Sequence, residues 1–293
     1  MPQPPQRITL PDDRTLTFDE HGPPEGKPIL YFHGSPSSRL EWSLFGSQAM
    51  AQALGIRIIA PDRPGMGGST FQPNRHILDW PRDVVALADH LQLDTFAVMG
   101  YSGGGPYAAV CALIIPERLT KVGVISGTAP FDRPGLADVI HPDSRRFMDL
   151  SRERPWLSRL SLRMMGLLAR FVREKMIANA MAALPEPDRQ IIAQPEFQQG
   201  FLRMFLEALR QGPRGAQHET QLMVSPWGFR PQEIKMRVQL WHGEADRNAP
   251  PAMGRYMAEA IPNSKLQLYP SEGHLSLFAK YSEIFHHFVA TEG

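Results

Sequence analysis

The stretch FAVMGYSGGGPYAAVCALI, residues 96–114, decides how the chain is read. An apolar run stops at Gly100, a second apolar run of helical character starts near Gly104, and Ser102 stands between them with glycine on almost every side. A dinucleotide-binding turn needs glycine at the first, third and sixth positions after its strand, and here the third position is Ser102. A Walker-type phosphate loop ends in Gly-Lys-Ser/Thr, and no lysine is present. Gly100-x-Ser102-x-Gly104 fits a third arrangement, the nucleophile elbow, in which a sharp turn between strand and helix projects a serine oxygen above the sheet edge. A side chain two residues before or after that serine would strike neighbouring backbone, so Gly100 and Gly104 are required. The amide of Gly103 then sits at a helix N-terminus, where unpaired N–H groups favour developing negative charge. Pro106 suits the first helical turn, which has no use for its missing N–H. A glycine-rich turn with a bystander serine is the alternative, and it stands unless partners are found elsewhere.

A serine nucleophile needs a base, and the base needs a carboxylate to hold its tautomer. In this kind of fold the chain order is serine, acid, histidine. LWHGEADRNAP (residues 240–250) places Glu244 and Asp246 just after a strand, and YPSEGHLSLF (residues 269–278) places His274 in a glycine-containing loop after another. Asp246 is the expected acid and His274 the expected base. An oxyanion hole takes its other donor from a loop after an earlier strand, and YFHGSPSS (residues 31–38) supplies the Ser35 amide beside that of Gly103.

Outward from these motifs, RITL and TLTF form a hairpin about an Asp-Asp turn. The apolar runs KPILYFHG, IRIIAPD, DTFAVMG, KVGVIS, RVQLWHG and KLQLYP read as buried strands. Helical periodicity fills residues 40–54, 80–91, 104–115, 252–261 and 277–289. Alternation of this kind predicts an α/β fold with a mostly parallel eight-stranded sheet covered by helices on both faces. Residues 131–230 break it: no strand is legible, and helical text punctuated by Pro155, Pro185, Pro187 and Pro195 suggests a cap over the sheet edge where such folds bind ligands. The domain expectation is a core of residues 1–130 and 231–293 with a cap between. Met164, Met165, Met176 and Met181 are expected to pack onto the core, with pocket lining as their second reading. Arg159, Arg163, Arg170 and Arg173 read as a solvated outer face.

The 293 residues carry a formal net charge of +1, with 42% apolar and 21% charged residues. That balance gives no support to a nucleic-acid or membrane-surface partner. The opening MPQPPQRITLPDD has no apolar signal core, and no apolar run is long enough for a bilayer, so a cytoplasmic location without stable membrane association is expected. Cys111 is the only cysteine, which excludes an internal disulfide and reads as a small core residue. HGEAD groups one histidine with two carboxylates, but no second cluster of ligand spacing supports a metal, and neither metal nor cofactor is expected.

The motifs FHGSP, PDRPGMGGS, GYSGGGP, HGEADRNAP and EGHLS, in that order, resemble those of the α/β-hydrolases, in the group with a helical cap that includes esterases, proline iminopeptidases, C–C bond hydrolases and cofactor-free haloperoxidases. The resemblance covers nearly the whole core and no readable part of the cap. It implies a Ser102–His274–Asp246 triad acting on a small-molecule acyl substrate. It favours Asp246 over Glu244, and leaves Asp132, in SGTAPFDRPG, as the alternative acid because some relatives place it there. It treats the DRPGMGGS turn, with Asp62 and Arg63, as structural. Ser35-Pro36 and Gly103 depart from the iminopeptidase pattern, and Ser102 argues against the aspartate nucleophile of dehalogenases and many epoxide hydrolases. His33, Tyr101 and Trp227 are candidate pocket residues, with loop fixing, packing beside His274 and core packing as their respective plainer roles. His242 and Glu272 read as structural or solvated neighbours. An ester is the expected substrate. C–C, amide or lactone hydrolysis, acyl transfer and perhydrolysis on the same triad stay open, and a non-catalytic receptor would need a broken triad.

Overall fold

In the computed structural model, which describes residues 4–45, 48–133, 135–136, 138–169 and 184–290, the apolar runs become the strands of one sheet. They are β1 Gln6–Thr9, β2 Thr15–His21, β3 Lys27–Phe32, β4 Ile56–Pro61, β5 Phe96–Tyr101, β6 Leu119–Ile125, β7 Val238–Gly243 and β8 Ser264–Tyr269. The order is β1-β2-β4-β3-β5-β6-β7-β8. β1 pairs antiparallel with β2 and β2 with β4, and every pairing from β4 to β8 is parallel.

Strand side chains alternate between faces, and two apolar layers result. Leu30, Phe32, Val98, Val124 and Leu240 join one cluster, while Ile29, Tyr31, Met99, Ile125 and Trp241 join the other. The helices are α1 Glu41–Phe45, α2 Gln48–Leu54, α3 Trp80–His90, α4 Gly105–Ile114, α5 Pro142–Glu153, α6 Pro155–Leu168, α7 Glu186–Ile192, α8 Pro195–Ala208, α9 Arg214–Val224, α10 Pro251–Ala260 and α11 Tyr281–Val289. Val84 of α3, Val110 of α4 and Met253 of α10 cover the first face, and Ala51 of α2 and Phe285 of α11 cover the second. Cys111 is buried in the first layer. Pro142, Pro155, Pro195 and Pro251 each open a helix, the position where proline's fixed φ helps and its missing N–H does no harm.

Some boundaries differ from expectation. Residues 40–54 hold two helices, and residues 277–289 divide into a tight 3-10 turn at Ser276–Lys280 and then α11. The tighter winding brings Phe278 onto the Tyr101 ring, with centroids 4.6 Å apart. Helices α5 to α9 lie between β6 and β7, with no strand there among the described residues. The expected methionine packing is corrected for Met164 and Met165, which are exposed among the described residues. Helix α6 instead buries Ser158 and Leu162, which at i, i+4 spacing share one face of the helix. Arg159 and Arg163 are exposed, as a solvated face requires. Met176, Met181, Arg170 and Arg173 lie outside the described residues. No helix among the described residues is long and apolar enough to cross a membrane.

Candidate active site

The C-terminal ends of β3, β5, β7 and β8 meet at one edge of the parallel sheet, beside the point where the chain crosses from β4 to β5. Ligands bind at such reversals of strand order. Ser102 follows β5 with φ 53°, a left-handed conformation that few side-chain-bearing residues adopt. A Cβ on Gly100 would lie 2.3 Å from the Gly104 carbonyl oxygen, and one on Gly104 would lie 2.1 Å from that of Phe32. The turn therefore closes only with glycine at both positions.

Ser102 Oγ lies 3.0 Å from His274 Nε2, and His274 Nδ1 lies 2.7 Å from Asp246 Oδ2. The Asp246 carboxylate is buried, and its other oxygen accepts from the amides of Asn248 at 2.8 Å and Ala249 at 2.9 Å. With Nδ1–H donated to a carboxylate, the Nε2 lone pair faces the serine. Burial alone would lower the proton affinity of His274. Asp246 outweighs it through charge and hydrogen bond, helped by Asp188 and Glu41, and the pKa is raised.

The loop after β3 lies against the elbow. The Gly34 amide is committed to the Glu41 carboxylate at 2.9 and 3.0 Å. The next amide, that of Ser35, lies beside Gly103: a Cβ there would be 3.4 Å from Ser35 N and 3.0 Å from Met223 Sδ. Arg63 holds the same loop from beneath, donating to the carbonyls of His33 and Gly34 and, at 2.7 Å, to Glu219. Arg75 completes this buried network, donating to Glu219 at 2.6 Å and to Tyr107 at 3.0 Å. Burial would raise the Glu219 pKa, but the two guanidiniums hold it down at about 2.

The other candidates fall into place around this centre. Tyr101 packs on His274 with ring centroids 5.0 Å apart, and its hydroxyl donates to the His274 carbonyl at 3.1 Å. His33 is fully buried; its Nδ1–H donates to the Gly34 carbonyl at 2.8 Å and its Nε2 accepts from the Arg63 amide at 3.3 Å. Burial and the neighbouring Arg63 hold its pKa well below the ordinary value, so it stays neutral. Trp227 is buried, packed on Phe229 and lining a cleft of about 380 Å³ with Asp132. Asp132 is exposed there, while His274 Nδ1 is already engaged by Asp246. Glu244 pairs with Arg255, Glu272 lies near Lys280, and His242 donates to the Ala249 carbonyl.

Sequence reasoning missed Glu41, Met223, Glu219 and Asp188. Asp188, in α7, is buried and accepts from the amides of His274, Leu275 and Ser276, each at 2.9 Å. In the sequence it is one acid in EPDRQ at a helix start, which reads as a solvated position. Among the described residues no group of three or more His, Cys, Asp or Glu is arranged to hold a metal ion.

A family model described as alpha/beta hydrolase fold matches residues 27–281. The chain is similar to 2-hydroxymuconate semialdehyde hydrolase of Pseudomonas putida, 28% identical over 259 residues that cover 87% of this chain and 83% of that protein. It is similar to the bifunctional esterase/perhydrolase DCH of Acinetobacter calcoaceticus, 25% identical over 286 residues that cover 91% of this chain and 92% of that one. Two shorter matches, at 32% and 36% identity, span 45% and 37% of the length of those relatives. A solved esterase from Thermogutta terrifontis, with malate bound, shares the fold at a TM-score of 0.70 and 22% identity, covering 99% of this chain and 100% of that one.

Proposed function

The chain belongs to the alpha/beta hydrolase fold family, and from that premise we propose that it is a serine hydrolase of small-to-medium, largely apolar carboxylic esters. One observation carries this reading: the hydrogen-bonded line from Ser102 Oγ through His274 to Asp246, at 3.0 and 2.7 Å. His274 Nε2 takes the hydroxyl proton as Oγ attacks the ester carbonyl. Asp246 keeps the proton on Nδ1 and stabilises the imidazolium that forms. The Ser35 and Gly103 amides receive the oxyanion, an arrangement whose donors are each worth on the order of 10²–10³ in rate. The alcohol leaves with the proton from Nε2. His274 then activates a water that splits the acyl-enzyme and frees Ser102. Residues 131–230 act as a cap, and Met223 supplies an adaptable apolar wall beside Gly103. No cofactor enters the cycle.

The likeness to an esterase/perhydrolase over 91% of this chain supports the ester reading. The likeness to a 2-hydroxymuconate semialdehyde hydrolase over 87% favours C–C bond hydrolysis as the second reading. Hydrolysis of p-nitrophenyl esters of increasing acyl length tests the choice. Wild type is expected to turn over the short esters, and Ser102→Ala to lose at least about 10⁴-fold in kcat/KM. Wild type inert on every ester but active on a vinylogous diketone transfers the assignment to C–C cleavage. Full activity in Ser102→Ala rejects the serine mechanism.

A further inference from the structure

We propose that Asp188, carried by the helical segment between β6 and β7, is a positioning residue that holds the His274 loop in register with Ser102. The role rests on the serine-hydrolase reading above. Its basis is the way His274's own backbone is tied down. The His274 N–H donates to Asp188 Oδ2 at 2.9 Å, and the His274 carbonyl accepts from the Tyr101 hydroxyl at 3.1 Å. Asp188 Oδ1 takes the next amides, Leu275 and Ser276, each at 2.9 Å. The remaining amide of the loop, Gly273 N–H, donates to Ser276 Oγ at 2.7 Å. Every backbone donor from residue 273 to residue 276 is thereby committed, three of them to one carboxylate.

These amides open the 3-10 turn at Ser276–Lys280, and the first N–H groups of a helical turn have no acceptor within it. Asp188 supplies acceptors from an element more than eighty positions earlier in the chain. A buried carboxylate is costly unless it is hydrogen-bonded, and Asp188 is fully buried with those three amides around it. Gly273 makes room for it: a Cβ at that position would lie 2.4 Å from Asp188 Oδ1. The loop's glycine, the carboxylate and the three donors form one clamp. Among the described residues no other acceptor serves the Leu275 and Ser276 amides, and without the clamp the backbone of the loop is tied only at the Tyr101 and Ser276 contacts. The charge has a second consequence. The groups facing His274 are Asp246 after β7, Asp188 in α7, Glu41 in α1, His242 in β7, and the uncharged Ser102 and Tyr101. Asp188 is one of the carboxylates that raise the proton affinity of His274.

Asp188→Asn separates positioning from bulk. An asparagine oxygen can still accept from Leu275 and Ser276, but its NH₂ then meets the His274 N–H donor to donor. With p-nitrophenyl acetate, kcat is expected to fall on the order of 10- to 100-fold, with KM within about twofold. The His274 titration, followed by NMR in the full-length protein and assigned against His274→Ala, is expected to move down. Gly273→Ala pushes the loop off the clamp while leaving the charge, so kcat should fall with a smaller shift of midpoint. Wild-type kcat and wild-type His274 midpoint in folded Asp188→Asn would overturn the proposal. If that variant does not fold, unchanged kcat in folded Gly273→Ala does the same. The NMR midpoint needs no substrate, so wild type inert on esters rejects the ester reading while the clamp is still judged by the titration.

Discussion

Ser102 holds a backbone conformation that costs on the order of 1–3 kcal/mol for a residue with a side chain, and its surroundings over-determine that conformation. Gly100 and Gly104 touch backbone on either side, so the strained oxygen has one direction to point. His274 is held as firmly, and its chemistry follows from a contest between burial, which lowers its pKa, and Asp246, which raises it. In the proposed mechanism His274 must be neutral to accept the Ser102 proton, so activity should rise with pH through a midpoint above the ordinary imidazole value of 6.5. Asp246→Asn removes the larger upward influence and misdirects the tautomer. Its turnover should fall on the order of 10⁴-fold, and the midpoint of what remains should move down, as burial then dominates. A pH–rate profile of the two proteins checks both. A profile that keeps its midpoint, or near-normal turnover in Asp246→Asn, would move the acid role away from Asp246.

Elements carry the next level, and here the helical insertion docks through carboxylates onto the loops that matter. Asp188 meets the His274 loop, Glu219 meets Arg63 beneath the loop of Gly34, and Glu207 meets Arg39 at 2.7 Å, which in turn holds Asp62 at 2.8 Å. Glu219→Ala would leave the Arg63 and Arg75 guanidiniums buried without their shared counter-charge. Removing one partner of such a network typically costs about 3–5 kcal/mol, read as a fall in the urea midpoint at unchanged m-value. A loss below about 1 kcal/mol would mean that water or another acceptor replaces the carboxylate. This level also marks where the sequence stops being legible. The strands were readable because buried parallel strands are continuous apolar runs, and Ser102, Asp246 and His274 because each follows such a run in a recognisable turn. Asp188, Glu207 and Glu219 were not. Each is an ordinary acid on an amphipathic helix, and its burial depends on a docking between segments far apart in the chain. Trp227 carried two readings for the same reason: an aromatic residue at the end of the insertion looks alike whether it lines a pocket or packs, as it does on Phe229.

For the whole molecule, buried acids of opposite tendency set how stability depends on pH. Burial lifts Glu41 from 4.5 to about 7, against hydrogen bonds from Gly34 and Tyr31, and lifts Asp62 from 3.8 to about 6 against Arg39. Glu219 is drawn from 4.5 down to about 2. A group raised on folding binds its proton more tightly in the native state, so its contribution is complete below the unfolded pKa and is lost as pH rises through the folded one. Glu41 and Asp62 therefore favour the native chain below about pH 4 and lose that contribution by about pH 7. Glu219 has the opposite sign: its contribution is present above 4.5 and is lost as pH falls toward 2. Each shift corresponds to on the order of 3 kcal/mol, so the two raised acids together outweigh Glu219, and stability should peak at acid pH and fall further on the alkaline side. The raised His274 adds to the alkaline decline. Urea midpoints should be highest near pH 4, between the unfolded values of 3.8 and 4.5, and lower at both pH 2 and pH 8. Glu41→Gln, which cannot ionise, should flatten the fall between pH 5 and pH 8 while leaving the acid side unchanged. Midpoints that climb steadily from pH 5 to pH 8 would show that Glu41 and Asp62 are held as carboxylates by their hydrogen bonds, with burial the weaker influence.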